Sequence, residues 1–297
     1  MLEYNGKQVT IMSCSDCNAN CEHCYISYTG NLTGKELLKL CNVLHKKYKI
    51  IINGTEVLLH PDYFEALTIS DQNRILTNGI IIYNNPKILD DIKRTGISTI
   101  AMSYHFDSDV SHISHEMLEK TINIIQKANM NVELMCTITN DNYNQLETIC
   151  EKVLSLGVHT IRFFNCLNTG KCEENVNELC LSDNQILDFF KQLKCIRAKY
   201  DKNILKIKRN GLFGADKNNI NCNFCCNAGI DEVVITPNLN VYPCIFMTKP
   251  GFEIGKYING KIMLDEKILN DGKECVAYQI FNRQKNPLEK NKQKIKC

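Results

Sequence analysis

Short apolar runs alternate with longer amphipathic stretches from residue 9 to about residue 200. Solid or period-two apolar patterning rich in Ile, Val and Thr predicts strands over 9–13, 49–53, 74–77, 99–103, 131–137 and 160–164. Between them, apolar residues recur at helical spacing over 34–48, 61–69, 86–95, 115–130, 142–156 and 182–200. Thr33-Gly-Lys-Glu36 and Ser182-Asp-Asn-Gln185 read as capping boxes, and Gly96 and Gly157 read as helix stops. Six βα units joined by right-handed crossovers predict an α/β fold: a parallel sheet with helices outside, closed as an incomplete barrel or open and doubly wound. In either form the loops after the strand C-termini build the binding site. Beyond residue 201 the pattern changes to Asn-rich segments, a hairpin over 232–236 and 241–244, and a lysine-rich end. Two domains are therefore expected, 1–205 and 206–297.

Composition narrows the function. Of 297 residues 44% are hydrophobic, ordinary for a globular chain, and the formal net charge of +2 gives no broad basic field for nucleic acid. The apolar runs are far shorter than the ~20 residues needed to span a bilayer, and the first residues lack the pattern of a secretory signal. The expectation is a cytoplasmic protein without a membrane or nucleic-acid partner. Seventeen cysteines are the anomaly. In a reducing compartment they point to metal ligands, catalytic thiols or small core residues. One cluster holds Cys14, Cys17, Cys21 and Cys24, and another holds Cys222, Cys225, Cys226 and Cys244.

Cys17-Asn-Ala-Asn-Cys21-Glu-His-Cys24-Tyr25 directly follows the first strand. Three thiolates on so short a loop can hold three irons of a 4Fe-4S cluster and leave the fourth open, whereas structural zinc generally takes four ligands. C-x3-C-x2-C followed by an aromatic residue, after the first strand of a βα series, resembles the radical S-adenosylmethionine (SAM) superfamily, over residues 9 to about 200. The resemblance implies a partial (β/α)6 TIM-like barrel in which SAM binds the open iron. It also implies one-electron cleavage of SAM to methionine and a 5'-deoxyadenosyl radical that abstracts hydrogen from substrate. It assigns Cys17, Cys21 and Cys24 to the cluster and Tyr25, Gly54, Thr55, Glu56, Asn78, Ser103 and Arg162 to SAM or its surroundings. Asn53-Gly54-Thr55-Glu56 stands for the family's Gly-Gly-Glu, with Asn53 replacing the first glycine. The competing reading of that segment is a turn with an exposed acid. Cys14 reads as a buried strand thiol, and His23 and His60 as polar loop residues.

The second cluster resembles the twitch or SPASM-type domain, a small α+β module holding an auxiliary cluster. Cys226 and Cys244 match its two hairpin ligands, and Leu239 stands where the hairpin glycine belongs, so a different turn is expected. Cys275 is the third candidate, with Cys222 or Cys225 the fourth and Cys297 an outsider. One auxiliary 4Fe-4S cluster is expected, with thiolate zinc as the alternative. Cys41, Cys150, Cys172, Cys180 and Cys195 read as packing residues, while Cys136 and Cys166, near strand C-termini, could face the radical chamber. Cys166 is the candidate hydrogen-atom donor. The resemblance implies a peptide maturase that crosslinks, forms thioethers or epimerises a ribosomally made precursor, with flavodoxin or ferredoxin as reductant. A small-molecule radical SAM cyclase or dehydrogenase is the second reading, and a zinc-stapled binding module is the third.

Overall fold

The computed structural model describes residues 1–106, 113–209, 226–265 and 275–282. Along the chain these residues form β1 (Leu2–Glu3), β2 (Gln8–Met12), α1 (Gly34–Leu44), β3 (Lys49–Asn53), α2 (Phe64–Leu67), β4 (Arg74–Thr77), α3 (Ile80–Asn84) and α4 (Ile88–Arg94). Next come β5 (Thr99–Tyr104), α5 (His115–Lys127), β6 (Asn131–Ile138), α6 (Leu146–Ser155), β7 (Thr160–Asn165), α7 (Val176–Leu179), α8 (Asp183–Lys199) and β8 (Lys206–Arg209). The C-terminal part contributes β9 (Glu232–Ile235), β10 (Asn240–Tyr242), β11 (Gly255–Ile258), β12 (Lys261–Leu264) and α9 (Val276–Phe281). All six expected strands form within a residue or two of their predicted limits. Both capping boxes close: Thr33 Oγ1 accepts from the Glu36 N–H and Ser182 Oγ from the Gln185 N–H, while each partner side chain caps in return.

The chain divides into two compact units. The first comprises Met1–Cys17, Ile26–Gln72 and Asn223–Cys297, and the second comprises Asn18–Tyr25 and Asn73–Cys222. These units cut across the sequential blocks 1–205 and 206–297.

In the first unit the strand order is β1-β12-β11-β10-β9-β2-β3. Strand β2 lies parallel to β3 on one side and to β9 on the other, with Val9 opposite Ile50 and Val233. A strand enclosed in this way has no solvated face, which is why Val9, Thr10, Ile11 and Met12 are all buried. Met12 packs with Tyr28, Val234 and Tyr242. Helix α1 turns the stripe Leu37, Leu40, Cys41 and Leu44 inward, each such leucine contributing roughly 1.5–3 kcal/mol. At the β9–β10 hairpin Leu239 itself takes the left-handed conformation, φ +62°. Asn238 Oδ1 secures the loop by accepting from Thr236 Oγ1 at 2.6 Å and from the Asn240 N–H at 3.3 Å.

The second unit holds five parallel strands in the order β4-β5-β6-β7-β8. Strand β8 was not expected, because Lys-Ile-Lys-Arg offers one apolar residue and no strand pattern. Its place is set by the ladder to β7, Arg162 opposite Lys208. One face of this sheet is apolar: Leu134, Cys136, Ile138, Ile161 and Phe163 are buried, and Phe163 meets Phe189 of α8 edge-on at 6.0 Å. Among the described residues no helix is long and apolar enough to cross a membrane.

Candidate active site at the strand C-termini

In the first unit the loops leaving β2 and β3 continue the strand ladder past its end. The Ser13 N–H donates to the Asn53 carbonyl at 2.6 Å, the Thr55 N–H to the Cys14 carbonyl at 2.9 Å, and the Glu56 N–H to the Asp16 carbonyl at 3.1 Å. Tyr28 adds its hydroxyl to the Cys14 carbonyl at 2.7 Å. Gly54 is required by close approach: a Cβ there would lie 2.5 Å from Cys14 Sγ and 3.0 Å from Val57 Cγ1. Cys14 is buried, as expected, though two residues past the end of β2, and burial raises its pKa to about 11. Glu56 is fully buried, with Oε1 accepting from the Leu58 N–H at 3.3 Å, which disposes of the exposed-acid reading.

Residues 18–25 belong to the second unit, where they sit against loops leaving β4, β5 and β7. Asn78, directly after β4, donates from Nδ2 to Asn18 Oδ1 at 2.7 Å and accepts the Ile80 N–H at 3.0 Å. Further along, the Lys171 N–H donates to the Cys24 carbonyl at 2.9 Å, and Lys171 Nζ bonds Asn20 Oδ1. Gly170, at φ +66°, presses so closely that a Cβ would lie 2.4 Å from the Cys24 carbonyl oxygen and 2.7 Å from the Tyr25 carbonyl carbon. The stretch carrying Cys21 and Cys24 is thus gripped on both sides.

His23, read from sequence as an unpaired loop residue, meets His105 with ring centroids 5.0 Å apart. Ligand atoms of Cys21, His23 and His105 lie within 4.8 Å of one another. Burial, with the second imidazole, holds the His23 pKa down at about 3, and burial holds His105 at about 4, so both rings are neutral near pH 7. His105 Nε2 is buried without a hydrogen-bond partner. Only the strand end preceding His105 could have marked it in the sequence.

Cys21 and Cys24 are half-buried and Cys17 is exposed, and none of the three is in a disulfide. Within the second unit, the soft donors Cys21 and Cys24, beside a buried imidazole nitrogen in need of a partner, have the chemistry that an iron-sulfur cluster takes.

The other candidates divide. Ser103 lies half-buried near the C-terminal end of β5. Arg162 sits lower on its strand and is engaged: Nε donates to Glu133 Oε1 at 2.8 Å, and Glu133 also takes Lys208 at 2.6 Å and Arg74 at 3.5 Å. Burial alone would raise the Glu133 pKa, but hydrogen bonds from Lys208 and Arg162 prevail and hold it below the usual carboxylate range. Cys136 lies fully buried on the apolar face of β6, where burial pushes its thiol pKa up to about 12, as suits a packing residue. Cys195 is exposed rather than packed.

Cys166, at the end of β7, has its Sγ 2.8 Å from Cys172 Sγ, which in turn lies 3.5 Å from Cys180 Sγ. Cys172 and Cys180 pack, as expected, in a small cluster with Cys166 and Leu179, but there they set sulfur against sulfur. In the first unit Cys226 and Cys275 are buried and Cys244 half-buried. Burial above all raises the Cys244 pKa, and these three thiols are not among the donor groups whose ligand atoms lie within 4.8 Å of one another. Cys222, Cys225 and Cys297 lie outside the described residues.

No protein-family model matches the chain. An AdoMet-dependent heme synthase from Methanosarcina barkeri (strain Fusaro / DSM 804) is 24% identical over 197 residues, 60% of this chain and 56% of that protein. The chain thus spans just over half the length of that relative. The crystal structure of Streptococcus suis SuiB matches with a TM-score of 0.66 at 13% identity, covering 94% of this chain and 68% of SuiB. SuiB bound to precursor peptide SuiA gives 0.65 at 12% identity, over 94% of this chain and 66% of that one. Native anSMEcpe with bound AdoMet gives 0.63 at 16% identity, over 84% and 77%. At such identities the structural likeness speaks for the fold, a partial (β/α) barrel.

Proposed function

We propose that the chain is a radical SAM superfamily enzyme and that it modifies a ribosomally made peptide by crosslinking, thioether formation or epimerisation. The observation that carries this reading is the likeness to SuiB over 94% of the chain, which takes in the C-terminal hairpin as well as the parallel strands, SuiB being a protein whose structure is known with precursor peptide SuiA. A second reading, a small-molecule substrate, draws on the heme synthase relative.

Cys17, Cys21 and Cys24 would hold the 4Fe-4S cluster, to which SAM would bind. With both bound, the site supplies one-electron cleavage of SAM and hydrogen abstraction, given electrons from a flavodoxin- or ferredoxin-type donor. The chain's own part is positional. Asn78, Gly170 and Lys171 fix the loop, Gly54, Thr55 and Glu56 present backbone and a carboxylate to the SAM amino group, Tyr25 flanks the cluster loop, and Ser103 stands at the rim. Arg162 supports the sheet through Glu133. Cys226, Cys244 and Cys275, with a fourth ligand from Cys222, Cys225 or Cys297, carry an auxiliary cluster. With all four corners held by protein, that cluster would accept the second electron of an oxidative crosslink.

The test is anaerobic reconstitution with iron and sulfide, reduction by dithionite, and mass-spectrometric detection of 5'-deoxyadenosine. The wild-type chain is expected to release it, and Cys17→Ala, Cys21→Ala and Cys24→Ala each to lose the cluster and the product. Faster SAM cleavage with a peptide encoded beside the gene, and a mass change on that peptide, supports the peptide reading. Stimulation by a porphyrin instead supports the second.

A further inference from the structure

We propose that Cys166, Cys172 and Cys180 form a second thiolate site, for a single tetrahedral soft divalent ion of the zinc class. The three thiols come from separate pieces of the β7–α8 connection: the end of β7, the turn Gly170–Asn175, and the residue after α7. Their ligand atoms all lie within 4.8 Å of one another. Cys166 and Cys172 are buried beside Leu179, and Cys180 is half-buried at the edge, leaving an approach for an ion and for a fourth ligand from solvent. Ordinary core packing sets sulfur against hydrocarbon, whereas here sulfur is turned on sulfur three times over.

The third sulfur selects the occupant. A Cys166–Cys172 disulfide, with about 2.05 Å between sulfurs, would use two thiols and leave Cys180 Sγ, 3.5 Å from Cys172 Sγ, without a role. A tetrahedral ion with metal–sulfur bonds of about 2.3 Å takes all three and sets its sulfurs about 3.8 Å apart. The 3.5 Å pair is already close to that, and the 2.8 Å pair opens by about 1 Å as the ion enters. An iron-sulfur cube places each thiolate on a different iron and spreads the sulfurs further. As the ion enters, the thiol protons leave to solvent, and no electrons are transferred.

The site has a use in the fold. Between Cys166 and Cys172 stand Gly170 and Lys171, the residues that grip Cys24. An ion joining the three thiols would fasten this connection at its start, middle and end, and so hold the grip. The proposal is independent of the substrate and of SAM chemistry.

Cobalt(II) chloride is the probe, added anaerobically to full-length protein carrying Cys17→Ala, Cys21→Ala and Cys24→Ala, so that the cluster loop contributes nothing. Cobalt is expected to give sulfur-to-metal charge transfer and intense tetrahedral d–d bands. Adding Cys172→Ser should remove one equivalent of cobalt, or weaken its binding at least tenfold, while bands from Cys226, Cys244 and Cys275 persist. Should Cys172→Ser fail to fold by circular dichroism, Cys180→Ser, at the half-buried position, decides in the same way. An unchanged cobalt spectrum in the folded variant overturns the proposal, as does a metal-free parent in which Cys166 and Cys172 resist alkylation until reduced.

Discussion

Two side chains in contact can make a glycine obligatory, and Gly54 is such a case. An added methyl group would meet Cys14 Sγ at 2.5 Å, in a buried place with no room to retreat. Gly54→Ala is expected to destabilise the chain by roughly 1–3 kcal/mol, and Cys14→Ala in the same chain should recover part of that loss. A double-mutant cycle on urea unfolding measures the coupling, expected to exceed about 0.5 kcal/mol. The sequence indicated a special glycine here through its place after a strand. It could not indicate that the crowding atom is the Cys14 sulfur, because that contact is made across two parallel strands. The same limit applies to His105 and to the thiols around Cys166. The spacings between Cys166, Cys172 and Cys180 match no familiar ligand pattern, and only the folding of the connection brings them together.

At the scale of elements, β6, β7, β8 and β4 are tied by one carboxylate. Glu133 is buried and takes Arg162, Lys208 and Arg74, so removing its charge leaves cations facing one another in a partly desolvated place. Glu133→Gln is expected to lower stability by about 3–5 kcal/mol. The pH dependence has a definite sign. A carboxyl held below the usual range in the folded chain stabilises fully above the unfolded value of about 4.3, and that contribution fades as pH falls through the folded pKa. Unfolding midpoints across an acid series should therefore fall more steeply for the wild type than for Glu133→Gln. Strands and helices were legible wherever periodicity ran for several residues, as in β2 through β7. Strand β8 was not, since its lysines and arginine are held by partners on other elements, Lys208 by Glu133 and Arg209 over the Phe190 ring at 5.1 Å.

For the whole molecule, the first sheet is built from both ends of the sequence. Periodicity announces strands without naming their neighbours, which is why the hairpin was legible but its junction with β2 was not. Because β9 completes the ladder of β2, a chain ending after residue 205 is expected to expose an apolar strand edge and to associate rather than fold as a monomer. Sedimentation velocity and circular dichroism of that truncated chain make the check. The same parallel pairing bears on biosynthesis. Gln8 leaves the ribosome early, yet its partner Glu232 emerges only after the rest of the βα series has been translated. The five-strand sheet, continuous in sequence, is free to form on the nascent chain, while the strand that leads to Cys17 waits for β9 to be made. Loading of iron at that loop is accordingly expected to follow the synthesis of β9 rather than the emergence of Cys17 itself.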